Sequence, residues 1–199
     1  MPSKILKSKF FQSEDVVQLA KQLIGCRLST NIGGQLTSGL VTETEAYAGK
    51  GDKACHAHLG KFTKRTAVMY ETGGVAYIYL CYGIHHLFNI VTNTKGHADA
   101  ILIRAIEPDQ GIEIMQNRRK KSKIEKTLTS GPGNVSQALG LSLQQNTNSV
   151  CSDEIWFEKE VIKPINIVET TRIGIDYAEE DTSLPWRFYD DHSKFVSVR

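Results

Sequence analysis

The sequence predicts an α+β fold in one domain over residues 1–199, with a curved, mainly antiparallel β-sheet as its core and helices around it. A chain of 199 residues is near the upper size of a single domain and can bury a substantial core. Residues 26–105 are rich in Val, Ile, Thr and Tyr and are divided by glycine turn signals, as strands joined by short loops are. Helical patterns flank this region, and no repeat or linker suggests a second domain.

The first expected element is an amphipathic helix in residues 13–25. Ser13 can cap its N-terminus, and Glu14 and Asp15 then lie in a first turn where carboxylates favour the helix dipole. Gly25 is the expected stop. The apolar stripe that faces the core consists of Val16, Leu19, Ala20 and Leu23.

The later elements follow in order along the chain. Strands are predicted by VAYIYLCYG at 75–83 and AILIRAIEP at 100–108. Residues 109–121 have a helical pattern with a basic end, and TSGPGN at 129–134 introduces a second short helix, VSQALG. From about Ile155 the chain returns to strands and polar loops.

The composition is that of an ordinary soluble globular protein, with 40% hydrophobic residues and a net charge of +2. No apolar run is long enough to span a bilayer, which excludes membrane insertion, and the N-terminus lacks the core of a secretory signal. We therefore expect a cytoplasmic protein. Its four cysteines are scattered without a Cys-x-x-Cys pair, which predicts free thiols.

The segment GLVTETEAYAG at 39–49 is a predicted strand that carries two carboxylates. Because strand side chains alternate between faces, Val41, Glu43, Glu45 and Tyr47 should share one face. An acid on the same face as an aromatic ring indicates a polar pocket rather than a plain core. For Glu43 we expect a structural role, as an acid paired with a nearby Lys or Arg.

A second unusual segment, YIYLCYGIHHLFNI at 77–90, holds three of the seven tyrosines. Tyr77 and Tyr79 share one strand face and can equally be a tyrosine-rich core strand with hydroxyls at the rim. Tyr82 beside Gly83 should be exposed at a turn, where an aromatic side chain could wedge into stacked bases.

Several weaker signals have ordinary structural explanations. The histidines at 56, 58, 85 and 86 suggest a metal, but no ligand spacing such as HExxH is present, so we predict no metal site. The basic run NRRKKSK at 117–123 is typical of a solvated helix end. SGPGN at 130–134 offers backbone N–H groups to a phosphate, although such a helix entry is usually plain geometry.

Along nearly its whole length the sequence resembles the alkyladenine (3-methyladenine) DNA glycosylase family of the methylpurine type. The matching motifs are ETEAY at 43–47, YIYLCYG at 77–83, FNIVT at 88–92, LIRAIEP at 102–108, SGPG and QALG at 130–140, RIGIDYAEE at 172–180 and WRFY at 186–189. The resemblance implies base-excision repair: a monofunctional hydrolase that flips alkylated or deaminated purines from duplex DNA and cuts the N-glycosidic bond without strand cleavage.

The resemblance also implies roles for individual residues. Glu45, the last acid of ETEAY, matches the glutamate that activates the attacking water. Tyr47, His56 and Tyr79 match residues that line the pocket and stack on the flipped base. Their rings would attract a cationic methylated purine by stacking and cation–π interaction.

Three further matches concern the flipped nucleotide. Tyr82 corresponds to the aromatic inserted into the duplex, Asn89 to an asparagine that obstructs the guanine amino group, and Arg104 to an arginine near the extruded nucleotide. The chain departs from the family at Thr63–Thr66, where Thr-Pro-Arg-Asn is usual, and at Asn134, where a lysine is common. Both departures concern contacts to the DNA backbone.

Two alternatives stay open from the residues: a metal-dependent hydrolase that uses the histidines and Glu45, and a non-catalytic nucleic-acid-binding module. The leading interpretation implies damaged double-stranded DNA as partner, no cofactor, no obligate protein partner and a monomer. It would act with DNA in the cytoplasm, at the nucleoid, or in the nucleus of a eukaryote.

Overall fold

The computed structural model describes residues 4–159 and 165–199, and its architecture is α+β as predicted. The strands of this described part are β1 Lys4–Ile5, β2 Arg27–Ile32, β3 Gln35–Tyr47, β4 Ala76–Cys81, β5 His85–Thr92, β6 Asp99–Gln110, β7 Ile155–Lys159, β8 Ile167–Thr170 and β9 Arg187–Asp190. Its α-helices are α1 Val16–Leu23, α2 Ile112–Arg119 and α3 Pro132–Leu139. Short 3-10 turns join several of these elements.

All nine of these strands belong to one antiparallel sheet that does not close into a barrel. Its main order is β1-β7-β2-β3-β6-β5-β4, and β9 pairs with β3 and carries β8. The 13-residue strand β3 is the centre, because β2, β6 and β9 all pair with it. The sheet therefore brings residues from distant parts of the chain to the second half of β3.

β-Bulges in β3 interrupt the strict alternation that the sequence predicted. Register shifts lie between Ser38 and Gly39 and on both sides of Glu43. The prediction that Val41 shares a face with Glu43 is wrong, since Val41 packs in the main hydrophobic core with Ala46. Extra residues on one strand bend it and increase its twist, and this re-aims the side chains that follow.

The helices agree with the sequence except at their starts. The apolar stripe of α1 is buried as predicted, but Asp15 is its cap: Asp15 Oδ1 accepts from the Gln18 N–H at 2.8 Å. Ser13 instead accepts from the Asp15 N–H. Asp109 is the penultimate residue of β6, not part of a helix, and α2 begins only after Gly111, whose φ is +69°.

Candidate active site

A cavity of about 380 Å³ opens where β4, β5 and β6 meet the start of α3 and the segment 173–177. Six of the seven predicted site residues line it, and they are Tyr47, His56, Tyr79, Tyr82, Asn89 and Arg104. Glu45 does not line the cavity. It lies behind the wall, in contact with three groups that do.

The Glu45 carboxylate is fully buried and held by three hydrogen bonds. Oε2 accepts from the Tyr47 hydroxyl at 2.7 Å and from Arg104 Nη1 at 3.2 Å, and Oε1 accepts from the Ile173 backbone N–H at 2.8 Å. A carboxylate offers about four acceptor positions. Three of these are used, and the one left is on Oε1.

Tyr47 links the carboxylate to the cavity. Its hydroxyl donates to Glu45, and burial, together with the Glu45 charge, holds the pKa of Tyr47 well above its ordinary value, so the phenol stays a donor. The Arg172 guanidinium lies 4.9 Å from the Tyr47 ring centre and is fixed by Asp52 at 2.6 and 2.9 Å. The ring is therefore held rigidly in place.

Glu43 has the structural pairing expected for it. Its Oε1 accepts from Arg104 Nε at 2.9 Å, from Arg187 Nη1 at 2.8 Å and from the Ser197 hydroxyl at 2.7 Å, while Oε2 accepts from the Ser197 N–H at 2.6 Å. Burial would raise the pKa of Glu43, but Arg104 and the hydrogen bonds from Ser197 and Arg187 lower it below its ordinary value. Glu43 is an ionised, fully buried acid.

An aromatic wall stands on the other side of the cavity. His56 Nδ1 is 2.8 Å from the Tyr77 hydroxyl, and the Tyr79 ring lies 4.8 Å from the His56 ring at an edge-on angle of 75°. Arg65 covers this wall, with its guanidinium 4.5 Å from the Tyr79 ring centre. Burial, with Arg65 and Lys61 as further causes, lowers the pKa of His56 to about 4. His56 is therefore neutral near pH 7.

Asn89 and Tyr82 both line the cavity, the first as a buried residue and the second as an exposed one. Asn89 Nδ2 donates to the carbonyls of Tyr77 and Leu87, which leaves Oδ1 for the cavity. Tyr82 is 90% exposed in the turn between β4 and β5, with φ of +50°, and Gly83 follows at +73°. The prediction that Tyr82 is exposed at a turn is confirmed.

Sequence reasoning missed the segment that closes the site from behind. Ile173 contributes a backbone N–H, which no residue type reveals, and Arg172 and Asp52 are 120 positions apart in sequence. The motif RIGIDYAEE at 172–180, which includes Arg172 and Ile173, was the one feature of the sequence that could have indicated this segment. Tyr177 and Asn134 also line the cavity.

The described residues show no metal centre and no membrane span. Within 4–159 and 165–199, no three His, Cys, Asp or Glu side chains converge as a metal site would require. Among the same residues, no helix is both long and apolar enough to cross a bilayer. The thiols are free, with Cys26 and Cys55 buried and Cys81 and Cys151 partly exposed.

Comparison with known proteins defines the class. Residues 9–194 match the family model described as methylpurine-DNA glycosylase, and the chain therefore belongs to that family. Its members hydrolyse N-glycosyl bonds.

Individual relatives are similar over almost their whole length. A Chlamydia felis protein is 51% identical over 185 residues, which cover 92% of this chain and 95% of the relative. A Chlamydia pneumoniae protein is 48% identical over 97% of this chain and 100% of its own. A Clostridium perfringens protein is 43% identical over 95% and 97%, respectively. All three are provisionally named 3-methyladenine DNA glycosylase.

Proposed function

We propose that this chain is a monofunctional DNA glycosylase that flips alkylated or deaminated purines, 3-methyladenine among them, out of duplex DNA and cuts their N-glycosidic bond with a water activated by Glu45. The observation that carries the proposal is the Glu45 carboxylate, which lies directly behind an aromatic cavity and has one acceptor position left. The family membership supports the same chemistry.

The reaction needs a base and a negative charge at one place. Water attacks the anomeric carbon of the sugar as the purine leaves with the bonding electrons, and positive charge develops on the sugar. Glu45 can take the water's proton and stabilise that charge. The water approaches from the cavity, whose lining includes Tyr47, Arg104 and Ile173, the three partners of Glu45.

The cavity wall supplies selectivity. Tyr47, Tyr79 and neutral His56 present rings on which a flipped purine can stack, and a cationic methylated purine gains about 0.5–2 kcal/mol from each cation–π contact. Asn89 lines the cavity, and its side chain can obstruct a guanine amino group. Tyr82, exposed at the tip, fills the gap that the flipped base leaves.

We further propose that residues 1–199 act as one domain and as a monomer, without a cofactor and with damaged duplex DNA as partner. Its place is with DNA, in the cytoplasm or nucleoid.

The decisive experiment compares base release by the wild type and Glu45→Gln from duplexes that carry single modified purines, with chromatography of the freed bases. Glu45→Gln keeps the side-chain shape but loses the proton acceptor, so excision should fall about a hundredfold or more. Duplex affinity should persist. Glu169→Gln, an exposed acid paired with Lys21, is the matched control and should excise normally.

Added reagents separate the alternatives. Wild-type excision should be indifferent to EDTA, and borohydride should trap no DNA adduct, because water rather than an amine is the nucleophile. Loss of activity with EDTA would favour a metal enzyme, and the absence of any base release would favour a binding module. Glu45→Gln excising at the wild-type rate would refute the role of Glu45.

A further inference from the structure

Behind Glu45 lies a second layer of buried charge that the reaction scheme does not use. Arg104 contacts both acids: Nε donates to Glu43 at 2.9 Å and Nη1 to Glu45 at 3.2 Å. Arg187 Nη1 donates to Glu43 at 2.8 Å from the other side. Two carboxylates and two guanidiniums therefore balance one another in charge, and all four side chains are at most 7% exposed.

The C-terminal segment is fixed to this layer through Ser197. Its N–H donates to Glu43 Oε2 at 2.6 Å, its hydroxyl lies 2.7 Å from Glu43 Oε1, and Arg104 Nη2 reaches the same hydroxyl at 3.4 Å. The Val198 carbonyl accepts from Arg187 at 2.9 Å. Ser197 is thus the contact through which the end of the chain reaches the arginine beside Glu45.

We infer that Glu43 and Ser197 are positioning residues of the reaction, because they hold the Arg104 guanidinium between two acids and keep it from pairing with Glu45 alone. This inference rests on the proposed role of Glu45. If Arg104 paired fully with Glu45, it would take up the acceptor position that the water needs and stabilise the charged carboxylate. Glu45 would then be a weaker base.

The groups around Glu45 determine in which direction the loss of Glu43 changes the basicity of Glu45. They are Tyr47 and Glu43 from β3, Arg104 from β6, Arg187 from β9, and Arg172 with the Ile173 N–H from the segment after β8. Among the described residues of this group, Glu43 is the one carboxylate; Asp52 lies a step further away, bound to Arg172. Replacing Glu43 by a neutral side chain removes that carboxylate and leaves the cations and donors of the group in place.

The test compares Glu43→Gln and Ser197→Ala with the wild type in three measurements: single-turnover excision against pH, duplex affinity and thermal melting. Glu43→Gln should excise about 10- to 100-fold more slowly, the scale of losing an outer partner of a functional group. Its duplex affinity should be unchanged, and the acid limb of its rate profile should move to lower pH. Ser197→Ala should show a smaller change in the same direction.

Phe157→Leu is the control for stability alone, because Phe157 is a fully buried core residue of β7 away from the cavity. It should lower the melting temperature and leave both the rate and the acid limb unchanged. The inference is overturned if Glu43→Gln and Ser197→Ala lose melting temperature but keep the wild-type rate and pH profile. If Glu43→Gln does not fold, the excision rate and pH profile of Ser197→Ala alone decide whether the inference holds. Failure of the proposed function would show separately, as full activity in Glu45→Gln.

Discussion

At the scale of single residues, Arg65 contributes to the charge state of His56 in the cavity wall. Its Nη2 atom lies 3.3 Å from His56 Nε2 and 3.5 Å from His56 Nδ1, so a positive charge is in direct contact with the imidazole ring. Together with burial, which is the larger cause, and Lys61, it lowers the pKa of His56 to about 4. A neutral ring does not repel a positively charged purine, whereas an imidazolium would.

We predict that Arg65→Met raises the pKa of His56, because one of the two cations beside the ring is removed. The imidazole resonance of His56, followed by NMR against pH, should titrate near pH 4 in the wild type and at a higher pH in the variant. Lys64→Gln removes a neighbouring charge that does not act on His56 and should leave the titration where it is. Equal titrations in all three proteins would contradict this.

The same shift makes stability depend on pH. An unfolded histidine binds its proton near pH 6.5, whereas folded His56 binds it only near pH 4. The unfolded state therefore takes up more protons between these values, and the free energy of unfolding falls as pH drops from 6.5 to 4. His56→Gln should remove this part of the pH dependence in denaturant titrations, while His97→Gln, at an exposed site, should not.

The sequence predicted which side chains gather at or behind the cavity better than it predicted the residues that hold them in place. Glu45 and Tyr47 are two positions apart on one strand, so alternation alone brings them to one face. The residues that hold these side chains in place are harder to predict. Ile173 binds Glu45 through its backbone N–H, and Ser197 binds Glu43 although the two are 154 positions apart in sequence. Contacts of that range depend on the sheet order, which local patterns do not contain.

At the scale of elements, the β4–β5 turn projects Tyr82 and the neighbouring Ile84 into solvent. Because Tyr82 packs in no core, Tyr82→Ala should leave the melting temperature unchanged while excision from duplex DNA falls. Leu143→Ala removes another exposed apolar side chain, outside the cavity lining, and should affect neither measurement. Unchanged excision by Tyr82→Ala would show that Tyr82 has no part in the reaction. A large fall in its melting temperature would show that Tyr82 has a structural role.

The junction between β6 and α2 depends on Gly111. An added Cβ would lie 2.2 Å from the Leu36 carbonyl oxygen, and φ is +69°. Gly111→Ala should therefore lower the free energy of unfolding by about 3 kcal/mol or more, as strain and overpacking add. Gly34→Ala has a similar φ of +76° but no neighbour within 4 Å, so it should lose about 1 kcal/mol in the same urea titration.

Gly111 also explains why the helix after β6 was predicted three residues too early. The polar sequence pattern that begins at Asp109 continues without a break into α2, but the chain turns at Gly111. The pattern of polar and apolar residues does not predict the positive φ of this glycine. Likewise, the bulges beside Glu43 shift the pairing with β6, which strict period-2 alternation cannot anticipate. The types of element were predictable and their junctions were not.

At the scale of the whole molecule, the basic run at the end of α2, residues 117–123, divides into two parts. Arg118 and Arg119 hold the fold, since they donate to the carbonyls of Ala138 and Leu128. Lys120 and Lys121 are exposed. Arg118 also lines a cleft shared with Ile84 at the exposed tip, which places this run on the side of the molecule that carries Tyr82.

If both lysines contact phosphates, replacing Lys120 and Lys121 with Gln should reduce the slope of log affinity against log salt by somewhat less than about two units. The same double change at Lys7 and Lys9, exposed positions that do not border the cavity, is the control and should leave the slope unchanged. Fluorescence anisotropy at several salt concentrations measures both. An unchanged slope for the first pair would remove this run from the DNA interface.

The hydrogen bonds around β3 have a consequence for synthesis. Glu45 finds its Ile173 partner 128 positions later, and Glu43 its Ser197 partner 154 positions later. Contacts of such separation form slowly, because long loops must close first. While the ribosome still holds residue 197, Glu43 lacks two of its hydrogen bonds. Until residue 197 reaches β3, the Glu43 carboxylate is therefore left with its bonds from Arg104 and Arg187.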